Sequence, residues 1–343
     1  MGRFVDGTWT TQPAARRPDG RFVRPVTQFR DRITASQGRF QAEAGRYHLY
    51  VSYACPWASR TLIVRELMAL TDVIDVSVLH PDMGDDSWTF AHDPADIEGP
   101  TGDLAGEAKL LGDVYLRADA KYTGRVTVPV LWDRRERTIV NNESVEIIEM
   151  FNREFDAFTD VRWDLCPDAE RDAMDGMDGM DGMDARIYET VNNGVYRAGF
   201  AGSQAAYEEA FDALFETLDM LEQRLATRRY LCGARLTASD LRLFTTLVRF
   251  DPVYHTHFKC NLRRLIDYDN LWGYTRELYQ IPAIKRTVRM DHIKRHYYRS
   301  HESISPRRII ARGPLIDFDA PHGRGHLEGD PHVEALIGSG TSP

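Results

Sequence analysis

From residue 46 onward, short apolar runs alternate with stretches in which apolar residues return every three or four positions, and the change of period marks the elements. Tyr47-His48-Leu49-Tyr50-Val51 is short and β-prone, and Ser52 to Pro56 interrupts it. Trp57 to Leu70 then carries Ala58, Leu62, Val64, Leu67 and Met68 at helical spacing. Val73 to Leu79 reads as a second strand that completes a βαβ unit. Residues 81–124 are polar, rich in Asp and Gly, and nearly aperiodic. After them, Thr127 to Trp132 and Thr138 to Val140 predict a hairpin, followed by a helix over Glu143 to Phe151.

The second half is helical throughout. Tyr207, Phe211, Leu214, Phe215, Leu218, Leu221 and Leu225 make one apolar stripe. Thr237-Ala238-Ser239-Asp240, ahead of Leu241 and Leu243-Phe244, reads as a capping-box helix start. Between the halves, residues 174–184 repeat Met-Asp-Gly, a composition expected of a flexible connector with little buried surface. The organisation predicted is an extended arm over 1–45, an α/β domain over 46–155 with its insertion at 81–124, a connector over 156–185, an all-helical domain over 186–315, and a tail over 316–343. The tail is expected to be disordered, because His322, His326 and His332 lack the tight spacing of metal ligands.

Composition narrows the class. With 343 residues, 43% of them hydrophobic, a buried core is assured, and no apolar run approaches the roughly 20 residues needed to span a bilayer. A net charge of −9 argues against nucleic acid as a partner. The local basic tract from Lys285 to Arg312 is expected to be solvated or salt-bridged. The N-terminus has no secretory apolar stretch, and Cys55, Cys166, Cys232 and Cys260 stand singly. Reduced thiols in the cytoplasm follow, with neither a disulfide framework nor a zinc site indicated.

Cys55 is the candidate nucleophile. It falls where the first strand turns into a helix, with Pro56 in the first helical turn, where proline is favoured. Unpaired backbone N–H groups and the positive end of the helix dipole there favour a thiolate, the form that attacks sulfur. Ala58 stands where a dithiol enzyme would place its second cysteine, so an outside thiol must resolve any mixed disulfide. Cys166, Cys232 and Cys260 read as small buried hydrophobes. Pro129 sits at the entry to a strand, where an ordinary trans strand start or a cis bond both fit and the trans form is the commoner. Asn142-Glu143-Ser144 opens a helix, either as a simple N-cap or as a carboxylate-holding site.

Jointly, Tyr53-Ala54-Cys55-Pro56-Trp57-Ala58, Gly124 to Pro129, Asn192 to Tyr196, Arg249 to Tyr254 and Ile293 to Tyr298 resemble the glutathionyl-hydroquinone reductases, the Xi-class glutathione transferases. The resemblance implies the glutathione transferase fold: a thioredoxin-like α/β domain followed by an all-α domain. It implies a cytoplasmic homodimer, without metal, whose partners are glutathione as co-substrate and glutathionyl-hydroquinones. Cys55 matches the family nucleophile. Trp88, Arg125, Val126, Thr127, Val128, Glu143 and Ser144 match the glutathione site, with Val128 before a cis Pro129 and Glu143-Ser144 at the γ-glutamyl end. Tyr196, Tyr254 and Tyr297 match tyrosines around the reacting sulfur and quinol. Two other readings compete: an omega-like thioltransferase or dehydroascorbate reductase, which also uses a monothiol, and a non-catalytic transferase-like scaffold.

Overall fold

A computed structural model describes residues 2–12, 17–171 and 179–338. The chain divides into two compact units, each built from separated stretches. The first comprises residues 1–15, 24–162 and 287–310, the second 16–23, 163–286 and 311–343.

In the first unit a short hairpin, β1 (Arg3–Val5) and β2 (Thr8–Thr10), precedes a four-stranded sheet in the order β4-β3-β5-β6. Here β3 is Tyr47–Val51, β4 Asp75–Val78, β5 Val130–Asp133 and β6 Thr138–Asn141. Helix α1 (Pro56–Leu67) joins the parallel pair β3 and β4, while β5 runs antiparallel to both β3 and β6. All five residues of β3, His48 among them, are buried, so this β-prone segment is a central strand covered on both faces. Helix α1 stops at Leu67 instead of Leu70 because Ala69 takes a left-handed conformation, φ 52°. Helix α3 (Ser144–Arg153) packs on α1.

The arm and the insertion are more ordered than their lack of periodicity suggests. Phe4, Ile33 and Phe40 are buried, and Phe4 exchanges both backbone hydrogen bonds with Gly124, at 2.9 and 3.1 Å. Such coil contributes single anchors, which leave no repeat in the sequence. Within the insertion lies α2 (Leu111–Ala118), and the Asp103 carboxylate accepts from the backbone N–H of Ala105 and Ala108 and from the Tyr50 hydroxyl. A late helix, Met290–Ser300, returns to this unit, where Arg295 pairs with Asp82 at 2.8 Å and Asp96 at 2.6 Å. The Arg295 part of the basic tract is therefore salt-bridged.

The second unit contains α4 (Met180–Ile187), α5 (Gly194–Gly199), α6 (Gln204–Leu225), α7 (Ala238–Leu247) and α8 (Asp269–Gln280). Ser203 caps α6 through Ala206 N–H. The capping box at α7 forms as the sequence predicts, with the buried Asp240 carboxylate accepting from the Thr237 N–H and hydroxyl at 2.8 and 2.9 Å. Leu231 N–H and the Tyr274 hydroxyl donate to the same carboxylate, and its burial pushes the acid up to about 6.

Two expectations are corrected here. Residues 174–178 of the repeat lie outside the described residues, but the rest enters α4, where Met180 and Met183 are buried and Asp184 pairs with Arg242. The three-residue spacing puts both methionines on one helix face, so this part of the repeat carries core contacts. The tail is likewise packed. Arg324 is buried, pairs with Glu277 at 3.1 Å and donates to the carbonyls of Leu225, Arg228 and Arg229. Asp330 accepts from Leu236 N–H, and His332 stacks on Trp163. A tail held by one arginine and isolated contacts has no period to read. Among the described residues no helix is long and apolar enough to cross a membrane.

Candidate functional site

Cys55 is the N-cap residue of α1, with Pro56 as the first helical residue. Its backbone is extended, φ −79° and ψ 121°, and its carbonyl accepts from both Ser59 N–H at 2.9 Å and the Ser59 hydroxyl at 3.0 Å. The thiol is half-buried at the positive end of the helix and lies 3.5 Å from the Val128 carbonyl oxygen. The peptide bond that follows Val128 is cis, as the resemblance implied and against the expectation from residue frequencies alone.

Behind this contact is Tyr115 of α2, which the sequence reading missed. Its buried hydroxyl donates to the Thr127 carbonyl at 2.9 Å and accepts from the Asn142 side-chain amide at 3.1 Å. It thereby ties the 125–128 segment to Asn142, the residue before the Glu143-Ser144 pair, both being segments that the resemblance places at glutathione. Its only sequence signal was an aromatic residue inside an aperiodic insertion.

Glu143 is the N-cap residue of α3, and its carboxylate accepts from the Thr27 hydroxyl at 3.1 Å. Ser144 is buried, and Arg60 of α1 donates to its hydroxyl at 3.4 Å. The half-buried Arg125 has its pKa lowered by burial and by the neighbouring charges of Arg24 and Arg3, which identifies a local concentration of positive charge. Arg24 stacks over Trp57, two residues after Cys55, 3.9 Å from the ring centroid. Val126 is buried beside this segment. Anion-binding groups and helix N-termini on this scale suit the carboxylates of a tripeptide thiol.

Trp88 is buried and stacks on His296, with centroids 4.8 Å apart and 12° between planes. His296 donates through Nδ1 to the Pro81 carbonyl at 2.7 Å and meets Tyr297 edge-on at 5.3 Å. His296, which the sequence does not single out, thus links Trp88 to Tyr297. Tyr196 and Tyr254 meet in the second unit, 6.0 Å between ring centroids. Tyr196 follows the wide π-type turn Tyr188–Asn192, and Tyr254 ends another, Phe250–Tyr254, which contains Pro252, a residue with no N–H to give to the ladder. The site residues thus fall into three groups: Cys55 with the 125–128 and 143–144 segments, Trp88 with Tyr297, and Tyr196 with Tyr254.

None of the four cysteines forms a disulfide. Burial pushes the Cys232 thiol up to about 12 and raises Cys260 as well, so neither offers a thiolate near neutrality. Among the described residues no cluster of three or more His, Cys, Asp or Glu side chains is placed to hold a metal ion.

Residues 54–154 match the glutathione S-transferase N-terminal domain, and residues 204–277 match the C-terminal domain. The chain is 51% identical over 332 residues to glutathionyl-hydroquinone reductase YqjG of Escherichia coli, covering 94% of this chain and 98% of that protein. A Xi-class glutathione transferase from Natrialba magadii superposes with a TM-score of 0.87 at 50% identity, over 96% of this chain and 98% of that one. The glutathione-bound structure of E. coli YqjG superposes with a TM-score of 0.85 at 49% identity, over 94% and 99%. With this identity along nearly its whole length, two matching domains and the half-buried cysteine at the start of α1, the chain belongs to the Xi-class glutathione transferases, the family of the glutathionyl-hydroquinone reductases.

Proposed function

We propose that this protein is a glutathione-dependent reductase that removes glutathione from glutathionyl-hydroquinones, with Cys55 as nucleophile. The observation that carries the reading is the placement of Cys55 at the N-terminus of α1, its sulfur beside the Val128 carbonyl and the cis bond to Pro129. The Cys55 thiolate attacks the glutathione sulfur of the substrate, forming a Cys55–glutathione disulfide as the sulfur–aryl bond breaks. The electron pair stays on the ring carbon, and a tyrosine hydroxyl supplies the proton that completes the hydroquinone. A second glutathione thiolate then attacks the mixed disulfide, giving oxidised glutathione and restoring the Cys55 thiolate. The sum is one glutathionyl-hydroquinone and one glutathione converted to hydroquinone and glutathione disulfide, so the electrons balance without a metal.

In this reading Arg125, Val126, Thr127 and Val128 hold the glutathione backbone, Glu143 and Ser144 its γ-glutamyl end, and Trp88 its remaining face. Tyr196, Tyr254 and Tyr297 serve the quinol and its proton. A cytoplasmic homodimer belongs to the same reading, and light scattering at twice the chain mass tests the dimer. The deciding experiment is turnover of a glutathionyl-hydroquinone with glutathione as the second thiol. Equal or better turnover of dehydroascorbate would favour the omega-like alternative, and no turnover of either would favour a scaffold.

A further inference from the structure

The segment that leads to Val128 starts beside the first strand of the chain. Phe4 of β1 and Gly124 form an antiparallel bridge and exchange both backbone hydrogen bonds, at 2.9 and 3.1 Å. In an antiparallel pair the residue before one partner faces the residue after the other, so Arg3 stands opposite Arg125 on the same face. The backbone is pinned on either side of this pair. The Tyr122 hydroxyl donates to the Arg125 carbonyl at 2.9 Å, the Gln28 side-chain amide donates to the Thr123 carbonyl at 2.6 Å, and Gly7 N–H donates to the Tyr122 carbonyl at 3.0 Å.

Like charges set directly opposite each other destabilise a strand pair. No acid relieves this one: among the described residues neither Arg3 nor Arg125 makes an ion pair or a side-chain hydrogen bond. Both side chains are half-buried, and Arg3 Nε is itself buried with no acceptor. The charge of Arg24 acts on Arg125 as well, and Arg24 lies over Trp57, two residues after Cys55. A buried N–H without an acceptor costs stability unless a ligand brings one.

We propose that Arg3 is a specificity-determining residue that receives, together with Arg125, the glycyl carboxylate of glutathione, so that substrates with this carboxylate free are selected. The inference rests on the reading of residues 125–128 as part of the glutathione site. In that reading the cysteinyl sulfur lies at Cys55 beside Val128 and the γ-glutamyl end at Glu143 and Ser144, which leaves the glycyl carboxylate as the remaining negative charge. Two facing guanidinium groups offer it charge-assisted hydrogen bonds from both sides, and the carboxylate removes their mutual repulsion. The bridge to Gly124 fixes the backbone of Arg3 before binding, so little backbone order has to be gained.

The test compares a glutathionyl-hydroquinone with its glycine amide as substrates of wild type and of Arg3→Gln, with glutathione saturating as the second thiol. Wild type is expected to favour the free acid about thirtyfold in kcat/KM, mainly through KM, and Arg3→Gln to cut that preference about tenfold, the scale of one charge-assisted hydrogen bond. Each ratio is taken within one variant, so a general loss of folded protein cancels from it. Arg3→Lys, which keeps the charge but not the fork, is expected to stay within about threefold of the wild-type preference. A preference that Arg3→Gln leaves unchanged, or one missing from wild type, overturns the proposal. Calorimetric binding of the unreactive S-methylglutathione and its glycine amide gives the same comparison without turnover. A preference there that Arg3→Gln removes, with no wild-type turnover of the quinol, leaves the carboxylate site standing and defeats the reductase reading. A preference retained in the variant defeats the site even where the reductase reading holds.

Discussion

The hydroxyl of Tyr115 donates to the carbonyl of Thr127 at 2.9 Å while accepting from the amide of Asn142 at 3.1 Å, so one buried oxygen ties the strand entry that carries Val128 to the helix start that carries Glu143. Tyr115→Phe removes the donor and leaves a buried carbonyl and amide unsatisfied, at a cost of about 1–3 kcal/mol. The half-saturating concentration of glutathione is expected to rise about fivefold, with kcat falling less. A variant that melts lower but binds glutathione as wild type does would make Tyr115 purely structural.

Cys55→Ser is expected to fold normally and to lose turnover by about a thousandfold or more, since a serine hydroxyl at a helix start stays protonated and attacks sulfur poorly. With the second thiol limiting, wild type should accumulate an adduct one glutathionyl group heavier by intact mass, because Ala58 provides no resolving thiol. Peptide mapping that places the adduct on Cys166, Cys232 or Cys260 would sink the mechanism.

Glu143→Ala acts on binding. Its carboxylate sits at the α3 N-terminus rather than at the reacting sulfur, so KM for glutathione should rise about tenfold while kcat changes less than about twofold. A steady-state titration of glutathione separates the two, and an unchanged KM removes Glu143 from the γ-glutamyl end.

Acid should weaken the first unit through His48. Burial and the Arg134 guanidinium, 2.9 Å from Nδ1, push His48 down to about 4, while Nε2 donates to the Ser77 hydroxyl at 2.8 Å. The neutral ring is the folded form, so this contribution is full above the unfolded value of 6.5 and is lost progressively as pH falls from 6.5 toward 4. Thermal melts across that window should decline more steeply for wild type than for His48→Asn. Parallel curves would show that some other group governs the acid limb.

Met183→Ala probes the end of the Met-Asp-Gly repeat. Met183 is buried in α4, so the truncation should cost about 2–4 kcal/mol by denaturant unfolding. A cost under about 0.5 kcal/mol would return the segment to the status of a connector.

Much of the scaffold was legible because it is locally coded. Tyr47–Val51 reads as a strand from its β-prone residues, α6 from its stripe at Leu214, Leu218, Leu221 and Leu225, and α7 from Thr237 and Asp240, whose capping contacts lie three residues apart. Cys55 was legible for the same reason, since the strand break, Pro56 and the helical period after it share one short window. Tyr115 and His296 were not. Each makes its contacts with partners far along the chain, Thr127 and Asn142, and Trp88 and Pro81, respectively.

By itself, then, the sequence determined the order of the main elements, the starts of α1 and α7 and the place of Cys55 at a helix N-terminus, because these depend on hydrogen bonds and apolar spacing within a turn or two of helix. Tertiary structure alone decided that the arm near Gly20 lies on the helical unit, that the Arg324 tail is buried against Glu277, and that Met183 belongs to a core. Those outcomes rest on single side chains whose partners are tens to hundreds of residues away. Only the closed fold brings such groups within contact, and no periodicity along the chain records it.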